Sequence, residues 1–307
     1  MKKIVLTLLI GTTCPFSSLA QDNSATNNYG PENGSLIVAG GGSLIGTGIF
    51  EKFIELGGGA EEGRFVIVPT ARGNRTRGGE LRVFNENQTL SGWRRLGLKN
   101  VVMLHTHDPE IADTDSFIAP LLSATAVWFT GGRQWNLVDS YAGTKTHQAF
   151  HDVLARGGVI GGSSAGATIL GDYLVRGDTS GSAIVMTDEE NHQKGFEFLR
   201  LTAIDQHIDT RNRWDHLLPV IARNAELLGL GIAESTALFV KGDRFEVMGE
   251  SVVVVHDNTK DYTEREKPYF TLSPGAVFNM QTRVVEKGQM SRISNRDLRY
   301  GPVRPHT

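Results

Sequence analysis

The segment Gly161–Ala167 (Gly-Gly-Ser-Ser-Ala-Gly-Ala) contains the clearest candidate for covalent chemistry in this sequence. Within it, Gly162-x-Ser164-x-Gly166 is the pattern of a nucleophile elbow, a sharp turn from a buried strand into a helix. Such a turn holds the serine Oγ out at the edge of the sheet, at the positive end of the following helix. The pattern predicts a serine hydrolase, which also needs a base, an acid that orients the base, and an oxyanion hole.

His207 and Glu234 are the residues that we expect to serve as this base and this acid. His207 ends the run Leu201–His207, an apolar strand that finishes in three polar residues, and Glu234 interrupts a later apolar run. Strand ends deliver side chains to the sheet edge at which the elbow is predicted to lie. The chain order serine, histidine, acid differs from the serine, acid, histidine order of α/β-hydrolases, which disfavours an esterase.

The oxyanion hole is expected to use backbone amides. The amide of Ala165, next to the nucleophile, is one predicted donor, and the amide of Gly132 (or its neighbour Gly131) in a loop after another strand is the second. Backbone donors are fixed in place before charge develops, and one such bond is typically worth about 3 kcal/mol in the transition state. The one cysteine of the sequence, Cys14, lies in the N-terminal segment, so cysteine chemistry is not expected.

Two histidine pairs have spacings that can bind metal. His105 and His107 form an H-x-H at a strand end, and His147 and His151 are four residues apart on a predicted helix. Neither pair has the carboxylate partner that a metalloprotease helix supplies. We therefore favour histidines on a solvated helix face or in a solvated loop, and we predict a protein that needs neither metal nor organic cofactor.

The N-terminal segment 1–20 is predicted to be a secretory signal. Lys2-Lys3 precede an apolar stretch, and Ser18-Leu-Ala20 offers small residues for cleavage after Ala20. The apolar stretch is far shorter than the roughly 20 residues of a membrane span. We therefore expect a protein exported to the periplasm or the medium, without a membrane partner after cleavage. A net charge of −3 without a long basic block gives no support for nucleic acid binding.

Short non-alternating apolar runs separated by helical patterns predict an α/β fold, a three-layer sandwich with a mostly parallel central sheet. We place a flexible lead-in at 21–34, one domain at 35–285 and a C-terminal tail at 286–307. After about residue 230 the pattern changes to short strands with polar turns, which predicts antiparallel strands at the sheet edge. Helices are predicted over 45–56, 79–96, 134–141, 146–156 and 214–228.

Four motifs of this chain resemble those of cyanophycinases, which belong with aspartyl dipeptidases in a family of serine peptidases. The motifs are Phe129–Gln134, Gly161–Ala167, Asp205-Gln-His207 with the two arginines downstream of it, and Gly231–Ala237. The resemblance implies a fold like that of class I glutamine amidotransferases, a homodimer, and cleavage of peptide bonds next to aspartyl or β-linked aspartyl residues. It also implies that Ser164 is the nucleophile, His207 the general base and Glu234 its orienting acid.

The same resemblance implies a set of residues that line the substrate pocket: Gln134, Asp205, Gln206, Arg211 and Arg213. Paired arginines suit a bidentate carboxylate clamp, and Asp205 suits a cationic group. The alternative is that the two arginines lie on the surface, in the first turn of the predicted helix 214–228.

Three departures from the family pattern leave the substrate open. His216 stands where cyanophycinases usually have a third arginine, Arg133 stands where an acidic residue is common, and the glycine turn Gly40–Leu44 lacks the charged residues that those enzymes place there. Cyanophycin, isoaspartyl peptides and aspartyl dipeptides remain alternatives. A non-catalytic binding module with the same fold is a further alternative.

A glycine-rich loop after the second predicted strand carries Arg72, Arg75 and Arg77. These arginines would lie on the presumed active edge of the sheet, where they would attract an anionic substrate. We favour the simpler interpretation of a solvated loop.

Overall fold

The structure is a computed structural model, and it describes residues 29–76, 78–80, 82–263 and 267–291. The predicted signal segment 1–20 and Arg77 lie outside the described residues.

Fourteen strands and nine α-helices occur in the described part of the chain. The strands are β1 (Ser35–Ala39), β2 (Arg64–Val68), β3 (Asn100–Met103), β4 (Ala126–Phe129), β5 (Val159–Ser163), β6 (Gly171–Tyr173), β7 (Leu199–Gln206), β8 (Leu228–Ile232), β9 (Thr236–Lys241), β10 (Arg244–Gly249), β11 (Val253–His256), β12 (Phe270–Leu272), β13 (Val277–Asn279) and β14 (Val284–Lys287). The helices are α1 (Ile49–Leu56), α2 (Gly59–Glu62), α3 (Glu86–Arg95), α4 (Pro109–Ala112), α5 (Asp115–Ile118), α6 (Trp135–Tyr141), α7 (Lys145–Ala155), α8 (Ala165–Thr168) and α9 (Leu218–Arg223).

The central sheet is parallel in one half and antiparallel in the other. Among the described residues its strand order is β14-β13-β10-β9-β1-β5-β4-β2-β3, and the pairs from β1 to β3 are parallel, whereas those from β1 to β14 are antiparallel. The parallel strands β1, β4 and β5 are almost completely buried, as their non-alternating apolar sequences require. The predicted class, an α/β fold with a largely parallel central sheet and antiparallel strands toward the C-terminus, is confirmed.

A second sheet, which we did not predict, contains five strands in the order β12-β11-β8-β7-β6. Strands β6, β7 and β8 are parallel, and β11 and β12 extend the sheet in antiparallel fashion. The expectation that the strand before His207 belongs to the same sheet as the elbow is therefore wrong. The two sheets share one apolar core, in which Phe129 and Ile160 of the central sheet pack with Ile204 and Leu230 of the second sheet.

The other face of the central sheet is covered by an aromatic cluster under α1 and α3. Phe53 packs edge-on against Trp128, with ring centroids 4.9 Å apart, and Trp93 is 5.6 Å from Trp128. In β5, a Cβ at Gly161 would overlap the Trp128 ring, so the indole fixes this position as glycine. The strand that leads into the predicted elbow is thus packed on both sides.

Several predicted boundaries are corrected. The helix predicted over 214–228 is only six residues long, Leu218–Arg223, and the helix predicted over 79–96 spans Glu86–Arg95. The predicted lead-in reached residue 34, yet Tyr29 is buried and its amide donates to Asp243 Oδ1. The predicted tail began at 286, yet β14 continues to Lys287 and Ser291 pairs with Thr271.

The helices of the described residues are too short or too polar to cross a lipid bilayer.

Candidate active site

Ser164 lies on a strained turn between β5 and α8. Its backbone has φ 58° and ψ −122°, a sparsely populated combination for a residue with a side chain. A Cβ at Gly162 would overlap the carbonyl oxygen of Gly166, so the two glycines allow the turn to close on itself. This is the backbone of a nucleophile elbow. The helix that follows has only four residues, so its dipole contributes less than the sequence pattern implied.

His207 joins the predicted nucleophile to the predicted acid. Its Nε2 lies 2.9 Å from Ser164 Oγ, and its Nδ1 lies 2.5 Å from Glu234 Oε1. The residue follows β7 directly and has φ 54°, while its amide donates to the Gly40 carbonyl at 3.1 Å. This hydrogen bond to the loop after β1 of the central sheet helps direct the imidazole, which directly follows a strand of the second sheet, toward the elbow.

Both the carboxylate and the backbone of Glu234 are held in place by hydrogen bonds. Thr210 Oγ1 donates to Glu234 Oε1 at 3.0 Å, and the amide of Glu234 donates to Asp209 Oδ1 at the same distance. A Cβ at Gly41 would overlap the His207 ring, and Gly41 has φ 110°, so the first glycine turn must pass close to the base. Sequence reasoning missed these supporting residues. The available signals were the position of Asp209, two residues after His207, and the glycine turn Gly40–Leu44.

The protonation states suit a general base. Burial lowers the pKa of His207, the positive charges of Arg211 and Arg213 lower it further, and the Glu234 carboxylate opposes them, so that the pKa stays below its ordinary value. Burial raises the pKa of Glu234, but the hydrogen bonds from His207 and Thr210 outweigh it and bring this pKa below the usual value. At neutral pH the imidazole is neutral and can accept the Ser164 proton, and the carboxylate is ionised.

The loop after β4 lies beside Ser164, as the predicted oxyanion hole requires. A Cβ at Gly131 would be 3.5 Å from Ser164 Oγ, so this loop passes directly over the hydroxyl. The next peptide, Gly132, is packed against the Ala71 carbonyl, which accepts a hydrogen bond from the Arg133 amide at 2.6 Å. The loop that carries Gly132 thus lies beside Ser164, and the assignment of the Gly132 and Ala165 amides as oxyanion donors stays a prediction.

The predicted pocket residues make contacts that differ from those expected. Both carboxylate oxygens of Asp205 are bound by a buried arginine, Arg176, with Nε at 3.1 Å from Oδ1 and Nη2 at 2.9 Å from Oδ2. Asp205 is completely buried and also accepts from Arg213 Nη1 at 3.4 Å and from the Gln206 amide at 3.0 Å. The cationic group that Asp205 meets in this structure is therefore a side chain of the protein itself.

The two glutamines of the predicted pocket are also buried. Gln134 Nε2 donates to the carbonyls of Val175 and Arg176, at 2.5 Å and 2.8 Å, so it supports the chain segment that carries Arg176. Gln206 is 4% exposed, and its Oε1 has no hydrogen-bond partner among the described residues. This acceptor is therefore unsatisfied within the described part of the protein, which is rare for a buried polar atom.

The fifth residue, Arg211, is exposed, whereas Arg213 is buried with only 7% of its surface accessible. The alternative interpretation, that both lie in the first turn of a helix, is wrong because α9 begins at Leu218.

A model of peptidase family S51 matches residues 36–248. The chain belongs to peptidase family S51. The peptidase is 28% identical to a protein named cyanophycinase from Geminocystis herdmanii over 265 residues, which are 83% of this chain and 92% of the relative. It is 26% identical to a cyanophycinase from Trichormus variabilis over 246 residues, 78% of each chain.

The crystal structure of a peptidase from an acI-B1 Actinobacterium has the same fold. Its TM-score is 0.60 at 22% identity, and the alignment covers 83% of this chain and 98% of that one. The resemblance that was based on four motifs is thereby confirmed at the level of the family, and this chain is a serine-type peptidase.

The histidine pairs of the peptidase are half-buried and packed against other side chains, which corrects the expectation of solvated histidines. His105 Nδ1 is 2.9 Å from Thr70 Oγ1, His107 Nδ1 is 3.3 Å from Ser140 Oγ, and the two rings meet edge to face. Burial, with a smaller effect of His107, lowers the pKa of His105 to about 4, so this ring stays neutral.

The second pair, His147 and His151, packs against Phe196 and Phe198, with ring centroids 4.5 Å and 4.7 Å apart. In the described part of the chain, no three His, Cys, Asp or Glu side chains come together in a way that suits a metal ion.

The arginine loop of the peptidase lies partly next to the site. Arg72 belongs to a short helical turn packed against the peptide of Gly132, while the guanidinium of Arg75 donates to the Gly79 carbonyl at 2.7 Å. Arg75 is thus engaged within its own loop.

Proposed function

We propose that this peptidase hydrolyses peptide bonds next to aspartyl or β-linked aspartyl residues, with Ser164 as the nucleophile, His207 as the general base and Glu234 as its orienting acid. The observation that carries the proposal is the continuous chain of contacts from Ser164 Oγ to His207 Nε2 and from His207 Nδ1 to Glu234 Oε1. A serine hydroxyl becomes a nucleophile only when a base with a fixed tautomer removes its proton.

In the proposed reaction, Ser164 Oγ attacks the scissile carbonyl carbon as its proton passes to His207 Nε2. The negative charge that develops on the carbonyl oxygen is stabilised by the amides of Gly132 and Ala165. His207 then donates the proton to the leaving amine, and Glu234 stabilises the imidazolium between the two transfers. Water, deprotonated by the same imidazole, hydrolyses the acyl-enzyme.

Positive charge beside the nucleophile supports recognition of an acidic substrate. Burial and, to a smaller extent, the nearby positive charges of Arg176, Arg211 and Arg133 lower the pKa of Arg213, and Asp205 is the carboxylate that pairs with Arg176 and Arg213. A guanidinium binds a carboxylate through two parallel hydrogen bonds, so the excess positive charge favours a substrate with a free carboxylate next to the scissile bond. The relatives named cyanophycinase support the β-linked aspartyl class in particular.

The test combines labelling with turnover. A serine-directed fluorophosphonate should form an adduct on Ser164, and the protein should cleave members of a panel of α- and β-aspartyl peptides and the β-Asp-Arg polymer, followed by mass spectrometry. Ser164→Ala should remove the adduct and lower turnover by about 10³-fold or more, and Glu234→Gln should lower kcat with little effect on KM.

Ser163→Ala is the matched control, because Ser163 is the adjacent serine and should keep both activities. An unlabelled Ser164 in the folded protein would support the non-catalytic binding module instead. Ester turnover that depends on Ser164 but not on His207 or Glu234 would contradict the assigned roles.

We further propose that the chain is exported and cut after Ala20, as its N-terminal pattern predicts. Expression of the full chain in a Gram-negative host should yield a periplasmic or extracellular protein whose intact mass corresponds to a first residue of Gln21. A protein retained in the cytoplasm with its first twenty residues would contradict this. The homodimer implied by the family resemblance also stays a prediction, and light scattering tests it.

A further inference from the structure

Arg176 is a buried arginine that neither the motifs nor the family resemblance pointed to. It follows β6, is 2% exposed, and has φ 59°. A left-handed conformation is unfavourable for a residue with a side chain and persists only where the surroundings enforce it. Here Gln134 holds the Val175 and Arg176 carbonyls. The chain is therefore bent so that the guanidinium points inward.

The guanidinium of Arg176 is occupied by protein acceptors. Besides the two oxygens of Asp205, Nη1 donates to the Ser182 carbonyl at 2.6 Å and Nη2 donates to His216 Nδ1 at 2.5 Å. Because arginine can only donate, His216 accepts through Nδ1 and is neutral. With these acceptors in place and with its burial, Arg176 is not positioned to bind substrate directly.

Arg213 is in the opposite situation. Its Nη1 donates to Asp205 Oδ1 at 3.4 Å and to the Gln206 carbonyl at 3.3 Å, whereas its Nε and Nη2 have no hydrogen-bond partner among the described residues. Asp205 is the carboxylate within reach of both arginines. Asp205 forms a short, bidentate ion pair with Arg176 and only one long hydrogen bond with Arg213.

We propose that Arg176 is a positioning residue whose role is to occupy Asp205, so that Arg213 remains available to a substrate carboxylate. Without Arg176, the buried Asp205 carboxylate would take Arg213 as its partner, and the site would lose its carboxylate-binding cation. This inference rests on the proposed function, and it explains why a site for an acidic substrate contains a buried carboxylate.

The test measures carboxylate binding without turnover. N-acetyl-aspartate should protect Ser164 of the wild-type protein against fluorophosphonate labelling, and the concentration dependence gives its dissociation constant. In Arg176→Met we expect this constant to rise by about tenfold or more, while the labelling rate without N-acetyl-aspartate changes by less than about threefold. The KM for an aspartyl peptide should rise in parallel and kcat should change little.

The decisive variant is Arg176→Met combined with Asp205→Asn. Removing the competing carboxylate frees Arg213 again, so protection should return to within about threefold of the wild type. A merely structural role of Arg176 predicts the reverse, since a second buried substitution would add to the damage. Arg156→Met is the control, because Arg156 donates to the carbonyls of Leu121 and Ala124 and should behave like the wild type.

Other outcomes are equally definite. A double variant that binds N-acetyl-aspartate as weakly as Arg176→Met overturns the inference, as does a single variant with unchanged binding or a wild-type protein that is labelled but not protected. If Arg176→Met does not fold, Asp205→Asn alone must bind N-acetyl-aspartate at least as tightly as the wild type, and weaker binding overturns the inference. A wild-type Ser164 that is not labelled contradicts the proposed function instead.

Discussion

Besides burial, the charge of the exposed Arg211 contributes to lowering the pKa of the proposed base, His207. The positive charge of Arg211 disfavours the imidazolium form of His207 and, together with burial, keeps the pKa of His207 below its ordinary value. Arg211→Gln should therefore raise this pKa. The base must be neutral to accept the Ser164 proton. The acid limb of the pH profile of Ser164 labelling should therefore move to higher pH, and activity below about pH 6.5 should fall.

The measurement is the rate of fluorophosphonate labelling as a function of pH at low salt. Arg211→Lys is the control, since it keeps the charge and should keep the position of the limb. Added salt should reduce the difference between Arg211→Gln and the wild type, because Arg211 is exposed and its field is screened. An acid limb that stays in place, or that moves to lower pH, would show that Arg211 does not act on His207.

At the scale of residues, the sequence made Ser164, His207 and Glu234 predictable because each interrupts an apolar run with a reactive group. The structure brings these three side chains into contact. Arg176 was not predictable, because it lies in an irregular segment without periodicity, and its partner Asp205 is 29 residues away. A sequence also does not reveal that the side-chain amide of Gln134 donates its hydrogen bonds to backbone carbonyls.

At the scale of elements, the segment 174–198 between β6 and β7 carries Arg176 and is tied to α6 through His192. His192 Nδ1 is 2.7 Å from Glu189 of the same segment, and His192 Nε2 is 2.7 Å from Asp139 of α6. Burial acts to lower the pKa of His192, but the two carboxylates outweigh it and bring the pKa above 6.5. Below this pKa the protonated imidazole donates to both carboxylates and clamps the segment to the helix.

This clamp predicts a dependence of local stability on pH. The contribution of a raised pKa is fully present below the ordinary value of 6.5 and is lost as pH rises through the folded-state pKa. Hydrogen exchange in peptides from 178–193, corrected for the intrinsic rate, should show stronger protection at pH 6 than at pH 8. His192→Gln should remove the difference, whereas His151→Gln, a histidine packed on Phe198, should leave it. Equal protection of the wild type at both pH values would contradict the clamp.

Helices and strands could be predicted where the local sequence pattern determines the structure. The prediction failed where contacts with other parts of the chain determine it. The parallel strands could be predicted because burial on both faces gives continuous apolar runs. The long helix expected over 214–228 fails at Pro219, which has no N–H and clashes with a preceding helical turn, so α9 begins only one residue before it. The second sheet was missed because an apolar strand such as β7 does not reveal which strands pair with it.

At the scale of the whole molecule, Arg283 connects parts of the chain that are far apart in sequence. It lies between β13 and β14 of the central sheet, and its Nη1 is 3.1 Å from Asp257 Oδ1, just after β11 of the second sheet. Its Nη2 donates to the Tyr29 hydroxyl at 2.5 Å and to the Glu226 carbonyl at 3.3 Å. One guanidinium therefore joins the two sheets and the segment that precedes β1.

Removing this guanidinium should destabilise the entire fold. The Asp257 side chain is completely buried, and its Oδ2 already has no hydrogen-bond partner among the described residues. Arg283→Met would leave the buried carboxylate without a cation, and in the described part of the chain only the amide and hydroxyl of Thr259 would still donate to its Oδ1. Breaking a buried ion pair in this way typically costs about 3–5 kcal/mol. We expect this loss in the free energy of unfolding measured with urea, and a correspondingly lower Tm, because both sheets belong to one shared core.

Two further variants separate this effect from a general loss of charge. Arg244→Met removes an arginine whose side chain is 58% exposed and paired with Glu286, and it should cost less than about 1 kcal/mol. Arg283→Met combined with Asp257→Asn should recover part of the loss, since the uncompensated charge is gone. Well below the Tm, Ser164 of Arg283→Met should react with fluorophosphonate at the wild-type rate, because Arg283 contacts Asp257, Tyr29 and Glu226 and none of the residues around Ser164. A cost for Arg283→Met no larger than that for Arg244→Met would show that the two sheets hold together without this contact.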